Sequence, residues 1–374
     1  MRFTYICADP GIPLPGTKGA SIHVASVCRA MRDTGLLGDI RTARPEAKSL
    51  CGFPLSSLES TTPRPDFIYE RYSLWHTAGG ELATHHGVPF ILEVNSPLPL
   101  EATRHRGLRQ GASARKVART LMRRADGIVC VSSEVAAWVK QQRGHGDRVW
   151  VIPNGVDPKI FSPIAARNPP ADWPAGWGVL DEPIVAFAGS FKPWHGLDSL
   201  IEAFALFIQH HSPSARLLCV GDGPQREPFM SRAMELGVSS RVHITGAVSQ
   251  PEVARWLARA AIAVAPYPAL DDFYFSPLKL YEFLGLGIPT VAGEIGQIVD
   301  VLGAGERGWI YPAGDTAALA TMLGQVLDEP LEARQRALAG LKWVLAKATW
   351  AERVREILSR IDELSSTAQR RTAP

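Results

Sequence analysis

The sequence predicts an α/β protein of two Rossmann-like, doubly wound domains that face each other across a cleft. Three observations support this fold class. The chain of 374 residues is longer than the usual single hydrophobic core. Short apolar runs alternate with amphipathic helical patterns, an alternation that builds parallel sheets covered on both faces. The alternation stops once, at a segment rich in Pro and Gly, and then resumes.

The first domain is predicted over residues 1–165 and begins with a strand at residues 1–8. This apolar run is too short for a signal-peptide core or a membrane span, because Asp9, Pro10 and Gly11 follow it at once. No later segment is long and apolar enough to cross a membrane, so we expect a cytoplasmic protein. Further strands of this domain are predicted at residues 67–69, 89–92, 127–131 and 149–152.

Residues 166–182 are predicted to link the domains, because the Pro and Gly content of this stretch prevents regular structure. The second domain is predicted over residues 183–364. Its strands and last helices are predicted at residues 183–189, 215–221, 242–246, 261–265, 316–345 and 350–364. The final helix can pack back on the first domain, and the polar tail 365–374 is expected to fray.

Composition narrows the class of protein. A hydrophobic content of 46% and a charged content of 21% describe an ordinary soluble α/β protein. The net charge of +3 is too small to indicate a nucleic-acid partner. The five cysteines are odd in number and far apart, so we expect buried thiols, with no disulfide, zinc site or other cofactor.

Residues 271–287 have the pattern of a loop that leads into a short helix. Ser276 is a good N-cap, Pro277 suits the first helical position, and Gly287 can end the helix. The free amides at residues 276–279 and the positive end of the helix dipole then form an anion site. This chemistry suits a diphosphate.

Side chains of the same helix add to this site. Lys279 brings a positive charge to the helix start, next to Leu278. Glu282 lies five residues into the helix, about 8 Å along its axis, and shares a face with Leu278 and Lys279. Glu282 is therefore a candidate to hold ribose hydroxyls while the helix start holds phosphate. The alternative is an ion pair between Glu282 and Lys279 on a solvated face.

Several segments together carry a resemblance to a known family. The helix is followed by Gly-Ile-Pro-Thr-Val-Ala-Gly at 287–293, and the other matching segments are 151–157, 221–224, 296–298 and 308–315. They resemble the family 4 retaining glycosyltransferases, of the glycosyltransferase group 1 type. The resemblance implies a GT-B fold, with the donor held mainly by the second domain and the acceptor mainly by the first. It also implies that Glu282 binds the ribose and that the amides at 276–279 face the diphosphate.

One position departs from the family pattern. Family members commonly carry a glutamate eight residues before the position of Glu282, where this sequence has Tyr274. A phenol cannot replace a carboxylate that accepts two hydrogen bonds at neutral pH. Our hypothesis is that Asp272, two residues earlier, takes this part through a reshaped loop.

The loop at 189–196 leaves a predicted buried strand and enters a helix, so we expect it to face the cleft. Family members usually place an Arg and a Lys there to neutralise the leaving diphosphate. This sequence offers Ser190, Lys192 and His195, of which Lys192 and His195 are the catalytic candidates. The alternatives are a solvated Lys192 and a His195 that caps the helix.

The first domain supplies further candidates. By resemblance, Gly19 is the glycine whose amide meets the donor phosphate, whereas His23 on the following helix is interpreted as a packing residue. Asn95 and Glu101 follow a strand and are candidates to bind acceptor hydroxyls or amines. Arg71 also ends a strand and either reaches the acceptor or forms an interdomain ion pair.

The stretch from Arg104 to Arg124 carries seven arginines and Lys116 with no acidic residue, interleaved with apolar side chains. It either contacts an anionic membrane or a phosphorylated acceptor, or is an ordinary solvated cationic helix.

For the reaction, the resemblance implies transfer of a hexosyl group from a UDP-, GDP- or dTDP-sugar to a hydroxyl or other nucleophile of a small-molecule, lipid or glycan acceptor. Retention of anomeric configuration without a protein nucleophile or a metal is expected. The alternatives are a GT-B epimerase or phosphorylase, and a non-catalytic nucleotide-sugar-binding homologue.

Overall fold

The structure is a computed structural model that describes residues 1–60, 63–105, 107–177 and 182–372. The chain divides into two compact units. Unit 1 contains Met1–Asn154, Tyr274–Ser276 and Trp350–Pro374, and unit 2 contains Gly155–Phe273 and Pro277–Thr349. The chain therefore changes unit between Asn154 and Gly155, and the described part of the predicted linker lies in unit 2. Residues 178–181 of that linker lie outside the described residues, as do residues 373 and 374 of the tail.

Unit 1 is built on a sheet of strands β1–β8 in the spatial order β3-β4-β2-β1-β5-β6-β7-β8, in which only β3 runs antiparallel to its neighbour. The strands are β1 Arg2–Cys7, β2 Leu37–Thr42, β3 Ser49–Leu50, β4 Phe53–Ser57, β5 Phe67–Arg71, β6 Phe90–Val94, β7 Gly127–Cys130 and β8 Val149–Val151. The order reverses between β1 and β5, which is the doubly wound pattern.

Unit 2 is built on a parallel sheet in the order β11-β10-β9-β12-β13-β14. The strands are β9 Ile184–Ala188, β10 Arg216–Val220, β11 Val242–Ile244, β12 Ile262–Ala265, β13 Thr290–Glu294 and β14 Trp309–Pro312. Every residue of β9 is buried, as expected for a central parallel strand with both faces covered. The order reverses between β9 and β12, the point at which open α/β sheets bind ligands.

Helices cover both sheets. In chain order they are α1 Gly19–Asp33, α2 Ala78–His86, α3 Leu98–His105, α4 Gly111–Arg124, α5 Ser133–Arg143, α6 Leu197–His210, α7 Arg226–Glu235, α8 Gln250–Leu257, α9 Leu278–Leu286, α10 Ile298–Val301, α11 Thr316–Asp328, α12 Pro330–Lys347 and α13 Trp350–Thr372. The helix α13 belongs to unit 1 and runs eight residues beyond its predicted end at residue 364. Within the described ranges, no helix is both long and apolar enough to span a bilayer.

The strand β2 was not predicted, because its sequence is not an apolar run. It contains Asp39 and Arg41, both less than 10% exposed. Their charges lie 3.5 Å apart, and Thr4 of β1 donates a hydrogen bond of 3.1 Å to Asp39. A charged pair with such partners can be buried within a strand, and it removes the apolar pattern by which strands are recognised.

Candidate functional site

In unit 2, two loops meet where the strand order reverses. One follows β9 and contains residues 189–196, and the other follows β12 and leads to α9. Gly196 has φ +71°, and a Cβ atom on it would lie only 1.6 Å from the carbonyl oxygen of Pro266. Glycine is therefore required for the close contact between these loops. The contact places the predicted phosphate-binding loop beside the segment that leads into α9.

The start of α9 differs from the prediction by one residue. The N-cap is Pro277 and not Ser276, because the Ser276 hydroxyl oxygen accepts a hydrogen bond of 2.9 Å from the amide of Asn154. Proline has no side-chain acceptor, so the amides of Leu278 and Lys279 gain no cap from it. Uncapped amides at the positive end of a helix are suited to an anionic ligand. The predicted end of the helix at Gly287, in the left-handed conformation, is confirmed.

Lys279 is buried beneath the two loops. Its ammonium lies 4.2 Å from the centre of the Phe187 ring and 4.9 Å from that of Tyr267, and it makes no hydrogen bond to the described residues. Burial lowers the pKa of Lys279 to about 7, against the opposing attraction of Glu282. A buried ammonium that lies against ring faces and makes no hydrogen bond to the described residues is suited to bind an anion.

Glu282 is half-buried, one helical turn beyond Lys279. Burial raises its pKa to about 7, although Lys279 and a hydrogen bond with Gln250 act in the opposite direction. The alternative of a solvated ion pair does not fit, because Lys279 is only 7% exposed and its ammonium makes no hydrogen bond to the described residues. Glu282 is thus a partly accessible carboxyl group on the face of α9 that also carries the cation.

The loop at 189–196 brings His195 close to its own backbone. The Nδ1 atom lies 2.5 Å from the carbonyl oxygen of Ser190, so Nδ1 carries the proton and Nε2 is an acceptor in the neutral ring. Burial, together with the charges of Lys279 and Lys192, lowers the pKa of His195 to about 3. His195 is therefore neutral near pH 7, and Gly196 occupies the N-cap of α6. The half-buried Lys192 has its ammonium 6.0 Å from the Trp194 ring centre.

In unit 1, a buried carboxylate accepts hydrogen bonds from two of the residues that were predicted to bind the acceptor substrate. Glu93 of β6 is 2% exposed and accepts hydrogen bonds from Tyr69 (2.8 Å), Arg71 (3.0 Å) and Asn95 (2.6 Å). Burial alone would raise the pKa of Glu93, but His23, Arg71 and Asn95 together lower it to about 2. Arg71 thus forms an ion pair with Glu93 within unit 1.

Tyr274 and Glu101 also lie together in unit 1. The Tyr274 hydroxyl donates to a Glu101 carboxylate oxygen at 3.2 Å, and its carbonyl accepts a hydrogen bond of 2.9 Å from Ser132. The Tyr274 ring packs against the apolar core of this unit. Asp272, the residue expected to replace the missing glutamate, is exposed. A carboxylate therefore does lie beside Tyr274, but it comes from α3.

The N-terminus of α1 begins at Gly19, as predicted for a helix that follows the first strand and its loop. The N-cap residue Lys18 provides no side-chain cap, because an ammonium cannot accept a hydrogen bond; it donates instead to the carbonyl of Gly11 at 2.8 Å. A Cβ atom on Gly19 would meet no atom within 4 Å. The first turn of α1 is thus open to an approaching group.

The basic stretch forms α3, α4 and the loop between them, with Arg106 outside the described residues. The apolar side of α4 is buried through Ala118, Leu121 and Met122. Its arginines are exposed on the other side. Because the apolar side is already occupied by the core, α4 offers a surface only charge and not a face for insertion.

Four residues near the site were not predicted to have a role there: Glu93, Asn154, Gln250 and Tyr267. For Asn154 a signal was available, since it lies within the family-like segment 151–157. Glu93 also gave one, as an acidic residue near the end of an apolar strand. Gln250 and Tyr267 come from other elements, and no local pattern connects them with Glu282 or Lys279.

Two family models match the chain. The model described as "Glycosyltransferase Family 4" matches residues 52–160, and the one described as "Glycosyl transferases group 1" matches residues 182–329. Together they cover most of both units.

Relatives and solved structures agree with these matches. A GDP-mannose-dependent alpha-(1-6)-phosphatidylinositol monomannoside mannosyltransferase of Mycolicibacterium smegmatis is 28% identical over 67% of each chain. A D-inositol 3-phosphate glycosyltransferase of Nocardiopsis dassonvillei is 26% identical over 92% of this chain and 90% of that protein. The crystal structure of Anabaena Alr3699/HepE in complex with UDP superimposes with a TM-score of 0.77 at 18% identity, covering 97% of this chain and 100% of that one.

Proposed function

Since the chain belongs to the group 1 glycosyltransferases of family 4, enzymes of the GT-B fold that act with nucleotide sugars, we propose that it is a retaining hexosyltransferase. The donor is a nucleoside diphosphate hexose bound mainly by unit 2, and the acceptor binds mainly to unit 1. The observation that carries the proposal is the start of α9, where uncapped amides and the buried cation Lys279 lie together. Among the described residues, none forms a hydrogen bond with the Lys279 ammonium, and a bound diphosphate would form one.

Different residues of unit 2 bind different parts of the donor. The amides of Leu278 and Lys279 hold the diphosphate, and the Lys279 ammonium neutralises it. Glu282, on the same face of α9, accepts hydrogen bonds from the ribose hydroxyls. Lys192 adds charge from the loop after β9 and Ser190 adds polar contacts. Gly19 of unit 1 contributes a backbone amide to the diphosphate, as its open surroundings allow.

The leaving diphosphate is the centre of the chemistry. Its negative charge grows as the bond to the sugar breaks, and Lys192, Lys279 and the helix amides stabilise that charge in the transition state. His195 enters as a neutral group, and an adjacent diphosphate raises its pKa and draws it towards the charged form. A diphosphate oxygen takes the proton of the acceptor nucleophile on the face from which it leaves, so the configuration is retained and no protein nucleophile is needed.

The acceptor is assigned to polar groups of unit 1. Glu93 fixes Arg71 and Asn95 in position, so both can present their remaining hydrogen-bonding groups without losing order. Glu101, whose carboxylate accepts a hydrogen bond from Tyr274, is assigned to the acceptor as well. On the donor side, Asp272 is our candidate to replace the family glutamate at the position of Tyr274.

The proposal is tested with a panel of UDP-, GDP- and dTDP-sugars. UDP and GDP sugars come first, because HepE of Anabaena was solved with UDP and the mannosyltransferase relative is named as GDP-mannose-dependent. One of them is expected to raise the Tm and to be hydrolysed slowly without acceptor. The anomeric configuration of the product, read by proton NMR, tests retention. Absence of both stabilisation and hydrolysis with every donor would contradict the proposal.

We also propose that the exposed arginines of α4 give a peripheral, purely electrostatic contact with an anionic membrane or acceptor. Co-sedimentation with vesicles containing anionic lipid is expected at low salt and is expected to be lost at high salt. Binding that resists salt would contradict the electrostatic mode.

A further inference from the structure

His23 lies between two hydrogen-bond acceptors in the core of unit 1. Its Nε2 atom is 2.9 Å from a carboxylate oxygen of Glu93, and its Nδ1 atom is 2.9 Å from the side-chain oxygen of Asn154. The ring is 5% exposed and is covered by Trp350 of α13, with the ring centres 5.0 Å apart. The packing role expected from the sequence is therefore only part of what this residue does.

The orientation of Asn154 is determined by its other partner. Its Nδ2 atom lies 2.6 Å from the carbonyl oxygen of Ser276, which can only accept a hydrogen bond. The amide oxygen of the Asn154 side chain must then face His23 and accept in turn. Asn154 is anchored further, because its backbone amide donates to the Ser276 hydroxyl and its carbonyl accepts from Arg353 at 3.2 Å.

Nδ1 of His23 consequently carries a proton, because it faces an oxygen that accepts. Nε2 lies 2.9 Å from a carboxylate oxygen of Glu93. Three other donors hold Glu93 in the ionised state and in position. His23 therefore connects the fixed Glu93 carboxylate with the Asn154 side chain.

We propose that His23 is a positioning residue that fixes Ser276, the residue leading into α9, for binding of the donor diphosphate, an inference that rests on the proposed function. The chain of contacts runs from Glu93 through His23 and Asn154 to Ser276. Ser276 directly precedes Pro277, the N-cap of α9. The same chain explains why Ser276 does not cap the helix itself, which leaves the first-turn amides for phosphate.

The test breaks the chain at one hydrogen bond. In Asn154→Asp, an oxygen replaces Nδ2 and faces the Ser276 carbonyl at 2.6 Å, so the attraction becomes a repulsion while the contact with His23 is kept. The matched control is Asn168→Asp, the same change at an exposed position. Titration calorimetry compares UDP, GDP and dTDP with uridine, guanosine and thymidine. For the base that the wild type binds, Asn154→Asp is expected to lose at least tenfold in affinity for the nucleoside diphosphate and less than threefold for the nucleoside.

A second measurement does not depend on the variant being well folded. Nitrogen-15 NMR of the wild-type protein labelled at histidine is expected to show Nδ1 of His23 protonated, with the signal assigned by its loss in His23→Gln. An unprotonated Nδ1 would overturn the inference, as would an unchanged ratio of diphosphate to nucleoside affinity in Asn154→Asp. A wild-type protein that binds none of the three nucleoside diphosphates would instead refute the proposed function, and the positioning role with it.

Discussion

Replacing Lys279 with methionine is expected to make the ligand-free protein more stable while it weakens donor binding. The Lys279 ammonium is buried against two aromatic rings, and this environment lowers its pKa from 10.5 to about 7. At 1.4 kcal/mol for each pH unit, that difference places an upper bound of about 5 kcal/mol on the cost of the charged form in the folded state. Methionine has a similar length, carries no charge and packs well against rings.

The net gain in stability is smaller than the bound. Without Lys279, Glu282 loses its neighbouring cation and takes up a proton more readily, which offsets part of the gain. We expect the free energy of unfolding to rise by about 2 kcal/mol at pH 7, and the Tm by about 4–8 °C. Affinity for the nucleoside diphosphate is expected to fall by roughly tenfold or more, as for the loss of a hydrogen bond to a charged group.

The pH dependence identifies the cause. Between pH 7 and 10.5 the unfolded chain binds a proton at Lys279 that the folded protein has released. The destabilising effect of Lys279 therefore shrinks as the pH rises, and the free energy of unfolding of the wild type increases in that window. Glu282 has its pKa raised to about 7, so it contributes stability below pH 4.5 that is lost as the pH rises to 7, outside the window. Urea unfolding at pH 7 and pH 9 is expected to show a gain of about 2 kcal/mol in the wild type that Lys279→Met lacks.

Lys192→Met serves as the control, since it removes a lysine from the half-buried loop after β9. Its free energy of unfolding is expected to stay within about 0.5 kcal/mol of the wild type. The reasoning is refuted if Lys279→Met is less stable than the wild type at pH 7 and keeps the same gain between pH 7 and 9.

Three further predictions use positions where the expected effects on stability and activity separate. Gly19→Ala is expected to lower kcat/KM roughly tenfold with an unchanged Tm, because the added Cβ meets nothing within 4 Å but crowds an approaching phosphate; a fully active variant would count against the amide contact. Glu282→Gln is expected to weaken nucleoside binding by about 1–2 kcal/mol in calorimetry, and equal affinity would exclude a ribose contact. Gly79→Ala places a Cβ 1.9 Å from an oxygen of the buried Glu70, so its free energy of unfolding in urea is expected to fall by about 2 kcal/mol or more. The control Gly111→Ala, whose Cβ has its nearest atoms at 3.5 Å, is expected to show no loss.

Much of the fold could be read from the sequence because parallel strands with two covered faces are continuous apolar runs. The fully buried strands β9 and β12 are such runs, and both were predicted. The strand β2 was not, because a pair of opposite charges interrupts its pattern. The helix predicted at 316–345 is divided into α11 and α12, because Pro330 is the first residue of a new helix. The helix α13 extends beyond residue 364 because the polar residues that follow contain no signal that ends a helix.

The candidate site divides in the same way. Local sequence determined the end of α9 at Gly287, the position of Lys279 in its first turn and the loop after β9, because helix-ending residues and strand ends act over a few positions. Sequence alone also marked Glu282 and Gly19 through the family motifs. None of these assignments required knowledge of distant contacts.

Tertiary structure decided what each of these groups can do. Ser276 is not the N-cap, because its hydroxyl and its carbonyl both accept hydrogen bonds from Asn154, which is 122 positions away in the chain. Burial made His195 neutral and, against two ring faces, lowered the pKa of Lys279 to about 7. Nδ1 of His23 carries a proton because the side-chain oxygen of Asn154, 131 positions away in the chain, accepts from it. Protonation and hydrogen-bond direction depend on burial and on partners brought together by the fold, and a linear pattern contains neither.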